Sequence, residues 1–216
     1  MSGVPASAES VLPAETPVLG GAEEAGAAAS YARGTARDAQ VYGNAIRAAQ
    51  NELAMLTGDG VSTVRSKLAD RLEPGAAALQ RCAVAAETAF EGYASEIDRI
   101  RLDAARIERD VEDHLDSIRA RSAEIETVAE AIRAPGSYPW RVGPPTSMPE
   151  PVLGPGFDDF DEVQRRVAAQ DLRAMYEQQW RVAVADWLSA LDGIRIAEIR
   201  WRTLLSERRA AERRDW

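Results

Sequence analysis

Cysteine and histidine are nearly missing from this sequence: Cys82 and His114 are the only residues of their kinds. A lone thiol makes no internal disulfide, and a lone imidazole makes no histidine-based metal site without carboxylates brought from elsewhere. The fold must therefore rest on packing. Phe, Tyr and Trp together make up only 6% of the chain. No stretch approaches the roughly 20 consecutive apolar residues that a membrane-crossing helix needs. The N-terminus has neither the basic region nor the apolar core of a Sec signal, so the chain reads as cytoplasmic, and any export to the medium or cell surface would take a non-Sec route. Net positive charge is also missing. A formal charge of -9 repels nucleic acid and anionic lipid, which excludes a general nucleic-acid binder. The locally basic end (Arg208, Arg209, Arg213, Arg214) is interleaved with Glu207 and Glu212 and reads as a solvated helix face.

What is abundant is alanine, leucine, glutamate and arginine, which favours helix over sheet. Residues 1–21 hold three prolines and three glycines and little apolar surface, so they are expected to form a disordered leader. From about Ala22 to Leu56, the residues Ala25, Ala28, Ala32, Thr35, Ala39, Tyr42, Ile46, Ala49, Leu53 and Leu56 recur at intervals of three and four. That is a heptad seam, small at one end and bulky at the other. Leu56-Thr57-Gly58-Asp59-Gly60 interrupts it, because two glycines each cost about 1 kcal/mol inside a helix. A tight turn into a second helix follows.

The second helix is expected over about Val61 to Arg133, with a kink or break at Glu73-Pro74-Gly75. Beyond that point one row reads Ala83, Phe90, Ile97, Ala104, Val111, Ile118, Ile125, Ile132, and the other Ala86, Tyr93, Ile100, Ile107, His114, Arg121, Val128. A straight helix of this span would reach on the order of 100 Å. Residues 135–157 concentrate seven of the eleven prolines, which forbids helix and favours an extended connection. Asp159 and Glu162 resemble a capping box opening a third helix that runs to about Arg209 within the C-terminal segment 158–216. Its bulky row is Trp180, Val184, Trp187, Leu191, Ile194, Glu198, Trp201 and Leu205. No helix buries such a stripe alone. The expected fold is all-α: an elongated antiparallel helical hairpin or coiled-coil bundle of three long helices, the first packed on the start of the second and the third folded back along its later part. The same stripes could also serve self-association.

Few residues suggest chemistry. His114 has Asp110, Glu112 and Asp113 nearby in sequence, a setting that would suit a base or metal ligand. Its place in the stripe instead suggests a polar seam position, paired with a facing acid, that fixes register. Arg121 and Glu198 are the other polar residues in these rows. Cys82, among alanines beside the seam, reads as a small buried thiol. Asp158, Asp159, Asp161 and Glu162 suit a helix start and lack the spacing of a calcium loop. Gly20-Gly21 and Gly154-x-Gly156 follow no strand and read as linkers rather than phosphate loops. No catalytic, cofactor or metal-binding residue is assigned, and no enzyme is expected. Trp180, Trp187 and Trp201 divide between core packing and an exposed anchor stripe for a partner helix, since the Ala-rich helices offer little to cover them.

With the hairpin in place, residues 22–134 resemble the N-terminal helical-hairpin module of actinobacterial type VII secretion substrates and polymorphic toxins. The residues that carry the resemblance are Leu56-Thr57-Gly58, standing where that family has Trp-x-Gly or Leu-x-Gly, and Tyr93-Ala94 on the following Ala-rich helix. The acid that the family places four residues after an export tyrosine is Ile97 here. The resemblance implies a non-enzymatic, secretion-associated protein: a stand-alone partner, a targeting module or the delivery segment of a toxin. Its partner would be a small helical protein or a secretion component. The alternative is a cytoplasmic or phage structural coiled coil that forms a homo-oligomer.

Overall fold

A computed structural model of the chain describes residues 3–18 and 20–213; the rest of the expected leader and residues 214–216 lie outside it. The chain is all-α, with three long helices packing against one another, and no strand occurs among the described residues. Helix α1 spans Ala22–Leu53, α2 Asp59–Lys67, α3 Glu73–Ala131 and α4 Glu162–Glu212. None is long and apolar enough to cross a membrane.

Two compact units divide the chain. One holds residues 17–102 and 207–216, the other residues 1–16 and 103–206. In the first, a hairpin, α1 starts behind Gly21 at φ 100° with Glu23 and Glu24 in its first turn, where carboxylates favour the helix dipole. It buries Ala25, Ala29, Ala32, Ala36, Ala39 and Ile46. Gly43 is part of the same face, and a Cβ there would meet Ala76 of α3 at an ordinary 3.8 Å. Tyr42 and Leu56, expected in the seam, are instead 53% and 55% exposed. Successive alanines let the buried stripe drift, so Gly43 takes the inward position and Tyr42, one step of about 100° away, turns out.

Of the kink or break expected at Glu73-Pro74-Gly75, the break does not occur. Between α2 and α3 the backbone widens into one π-helical turn over Leu68–Leu72, and the chain stays helical through Pro74. Proline lacks the N–H that would bond the carbonyl four residues back, and its ring collides with that carbonyl. A wider turn just before it absorbs both problems.

In the second unit, residues 103–131 of α3 pack antiparallel on α4. Helix α3 ends two residues earlier than expected. Ala134 N–H donates to Ala129 O at 2.9 Å and Arg133 N–H to Glu130 O at 3.0 Å, with Arg133 at φ 55°. This is a Schellman stop with a left-handed arginine where glycine is usual. Helix α4 opens with a reciprocal capping box formed by Asp161 and Gln164: Gln164 N–H donates to Asp161 Oδ1 at 2.8 Å, and Asp161 N–H to Gln164 Oε1 at 3.1 Å. The box therefore lies two residues beyond the expected Asp159–Glu162 pair. It places the glutamine, whose side-chain oxygen can accept from the cap, at the third helical position.

Candidate functional site

The second unit is organised around the tryptophans of α4. Trp180, Trp187 and Trp201 are 1%, 0% and 4% exposed, so of their two readings, core packing and an exposed anchor stripe, they take the first. Each indole N–H is bound by a different part of the unit. Trp187 Nε1–H donates to Ser122 Oγ of α3 at 3.2 Å, and Ser122 in turn donates to Ile118 O at 2.6 Å. Trp180 Nε1–H donates to Pro145 O in the proline-rich segment at 3.2 Å. Trp201 Nε1–H donates to Glu15 O of the leader at 3.0 Å. Buried indoles need such acceptors, and here two of the three acceptors come from segments with little regular structure.

Those segments supply the cover that Ala-rich helices cannot. Residues 135–157 act as a strap. Gly143, at φ 78°, lies so close to Trp187 that a Cβ there would fall within the ring's edge. Met148 is buried, and Tyr138 and Trp140 pack against the core. Burial pushes the Tyr138 phenol above its ordinary value. The described part of the leader is ordered too, which corrects the disorder expected there. Ala8, Val11 and Leu12 are buried in the core of this unit. Ala8 N–H donates to Glu112 Oε1 at 2.7 Å, while Arg119 Nη2 donates to Pro5 O and Ala6 O at 2.7 and 2.8 Å. Sequence reasoning missed Val11 and Leu12 because composition averages out two apolar residues in a polar stretch. Taken singly, they were the available signal.

Of the polar seam positions, His114 lacks the facing acid expected for it. Leu115 fills the seam with no exposure, and the half-buried His114 lies against Gly193 of α4, where a Cβ would strike the ring. It therefore faces a glycine rather than an acid. The Arg121 guanidinium is paired with Glu124 at 2.6 Å and Asp186 at 3.3 Å, and its hydrogen bond to Glu124, with the charges of Glu124 and Asp186, holds its pKa above the ordinary arginine value. Its Nε is enclosed and lacks hydrogen-bond alignment, so the Asp186 contact is electrostatic only. Glu198 sits at the seam's edge, its side chain 16% exposed, and Arg141 of the strap reaches it at 3.3 Å. Cys82, expected to be buried, is exposed: it precedes buried Ala83 and is rotated about 100° from it.

In the hairpin unit, the Leu56-Thr57-Gly58 turn lies between α1 and α2. Gly58 has φ 136°, a conformation that L side chains rarely adopt. Met55 and Leu56 at this tip are 88% and 55% exposed. Farther along the same unit Arg33 bridges from α1 to Glu87 at 2.5 Å and also to Glu91. Hydrogen bonding and charge at Glu87, then the charge of Glu91, raise the Arg33 pKa above its ordinary value. Gln50 Nε2 donates to Glu73 Oε2 at 3.2 Å. These contacts set the hairpin's register and leave its tip apolar and uncovered.

No family profile, curated protein or solved structure matches the chain. The function must therefore be argued from the geometry. That geometry is a pair of helical packings in which the tryptophans are sequestered and the exposed apolar side chains at the hairpin turn are free to meet another molecule.

Proposed function

We propose that the protein is a non-enzymatic, type VII secretion-associated helical protein that works by helix-on-helix recognition, as a stand-alone partner, a targeting module or the delivery segment of a toxin. The observation that carries this reading is the hairpin itself: α1 laid on α3 through a seam of alanines, the turn at Leu56-Thr57-Gly58 leading into α2, which buries no residue, with Met55 and Leu56 exposed at the tip. An alanine seam lets two helices approach closely and leaves their outer faces available, and exposed apolar side chains at a turn are suited to contact a partner. The tryptophans have no part in this reading, because they are core.

The test is co-expression of the full chain with its genomic neighbours, followed by measurement of the mass of the purified species. The expected result is a stoichiometric complex with a small helical protein, lost on Leu56→Asp while the helical content of the variant is unchanged. A complex indifferent to that substitution, or none with any neighbour, overturns the reading in favour of a structural coiled coil.

A further inference from the structure

Helix α4 carries a second uncovered surface, in its first turns, that nothing in the hairpin reading uses. The register of the tryptophan-rich unit follows from Trp187 on Ser122 and Asp186 beside Arg121. By that register the end of α3 at Ala131 lies opposite a point on α4 beyond Met175. Roughly the first four turns of α4 thus extend past the helix they pack on. Along them Val163, Val167, Asp171 and Met175 form a ridge at intervals of four, the kind that interdigitates with the ridge of another helix. Val163, Val167 and Met175 are 72%, 50% and 69% exposed.

The ridge runs into a cleft of about 570 Å³ between the end of α3, the strap and α4. Leu153, Phe157 and Leu172 form its apolar wall, and Arg133 and Asp171 line it as well. The arginine is held in place: it is the left-handed cap residue of α3, and its guanidinium lies in the space that a side chain at Gly154 would occupy. Among the described residues neither the Arg133 guanidinium nor the Asp171 carboxylate has a hydrogen bond or ion pair. The neighbouring arginines, by contrast, are committed. Arg165 donates to Phe157 O and Asp158 O, and Arg173 bonds Glu150 at 2.6 Å.

We propose that this ridge and cleft dock the same surface of a second copy of the chain, each copy's Asp171 meeting the other's Arg133 while the valine and methionine ridges interdigitate. A two-fold contact needs a self-complementary patch. One unpaired cation and one unpaired anion on the rim of a single apolar cleft supply that complementarity, which a small apolar ligand would leave unused along most of the ridge. The ridge spans about 18 Å, so the contact falls at the small end of specific interfaces and the dimer is weak. It uses no residue of the hairpin tip and stands independently of the reading above.

The test is sedimentation equilibrium of the full chain over a wide concentration range, with variants at exposed positions whose helical content is checked by circular dichroism. A monomer–dimer equilibrium is expected. Arg133→Glu and Asp171→Arg should each weaken it by about tenfold or more, the scale of one charge pair at an interface, and the double swap should restore it. Val167→Asp should abolish it. A chain that stays monomeric throughout, or a dimer that none of these substitutions changes, overturns the proposal.

Discussion

The hairpin and the tryptophan-rich unit are built on the same three-and-four spacing, and they differ in what stands at the inward positions. Along α1 and the first turns of α3 in the hairpin these are alanines, Ala76 and Ala83 among them, with Ile46 as the large buried side chain of α1, and only towards the end of that unit do Ile97 and Ile100 fill the seam. Each buried methyl is worth somewhat under 1 kcal/mol, against about 1.5–3 kcal/mol for a fully buried large side chain. In the other unit, Trp180, Trp187, Ile118, Ile125, Leu115 and Ile194 are all at most 1% exposed. Heptad spacing specifies which face is buried, while the volume of the side chains decides how firmly. A thin seam makes a hairpin that opens readily, whereas large indoles need extra cover and recruit the leader and strap to provide it.

The contrast can be broken most forcefully at its centre. Trp187→Ala should remove about 3–5 kcal/mol of stability, as large-to-small changes at fully buried aromatics do, measured by denaturant unfolding. A loss below 1 kcal/mol would place that indole outside the core. Next comes overfilling the thin seam. Ala36→Leu should cost about 1–3 kcal/mol, because extra methylenes force two closely packed helices apart; a neutral or stabilising result in thermal unfolding would show that the seam is loose rather than tight. Ser122→Ala leaves the Trp187 indole N–H without its acceptor and should cost about 1–3 kcal/mol, again read from denaturant midpoints.

The smallest effect lies in the alkaline range and separates the strap from the hairpin. Burial raises the Tyr138 phenol above 10.0 in the folded protein. The unfolded chain therefore ionises first as pH rises, and the stability Tyr138 contributes is fully present below its unfolded pKa and lost as pH climbs through the folded one. Tyr138→Phe should flatten that part of the pH profile and leave stability at neutral pH nearly unchanged. An alkaline profile identical to that of the parent would mean that Tyr138 is solvated.

Much of this was legible because helical periodicity is a strong local signal. The rows through Ile97, Val111, Ile118, Ile125 and Ile132 and through Trp180, Trp187, Ile194 and Trp201 are buried as their spacing requires. Three kinds of feature were not legible. Pro74 reads as a kink or break in sequence, yet a single π-helical turn before it keeps the helix running, a backbone adjustment with no side-chain signature. Leader residues Ala8, Val11 and Leu12 pack through contacts with residues about a hundred positions away, which local composition cannot reveal. The ambiguity over the tryptophans had the same origin. Counting helices alone left their area uncovered, and the missing cover came from Gly143, Pro145 and Glu15 in segments that look like linkers. The hydrogen-bonding demands of three indoles are visible in sequence; their acceptors are visible only in three dimensions.

Hydrogen exchange of the full chain, followed by mass spectrometry at peptide resolution, tests the central contrast most directly. The account predicts slow, cooperative exchange for residues 104–132 and 180–205, with residues 143–148 of the strap slowed by their cover, and much faster exchange along α1 from Ala22 to Leu53. Equal protection of α1 and the tryptophan-bearing part of α4, or faster exchange in the latter, would contradict it.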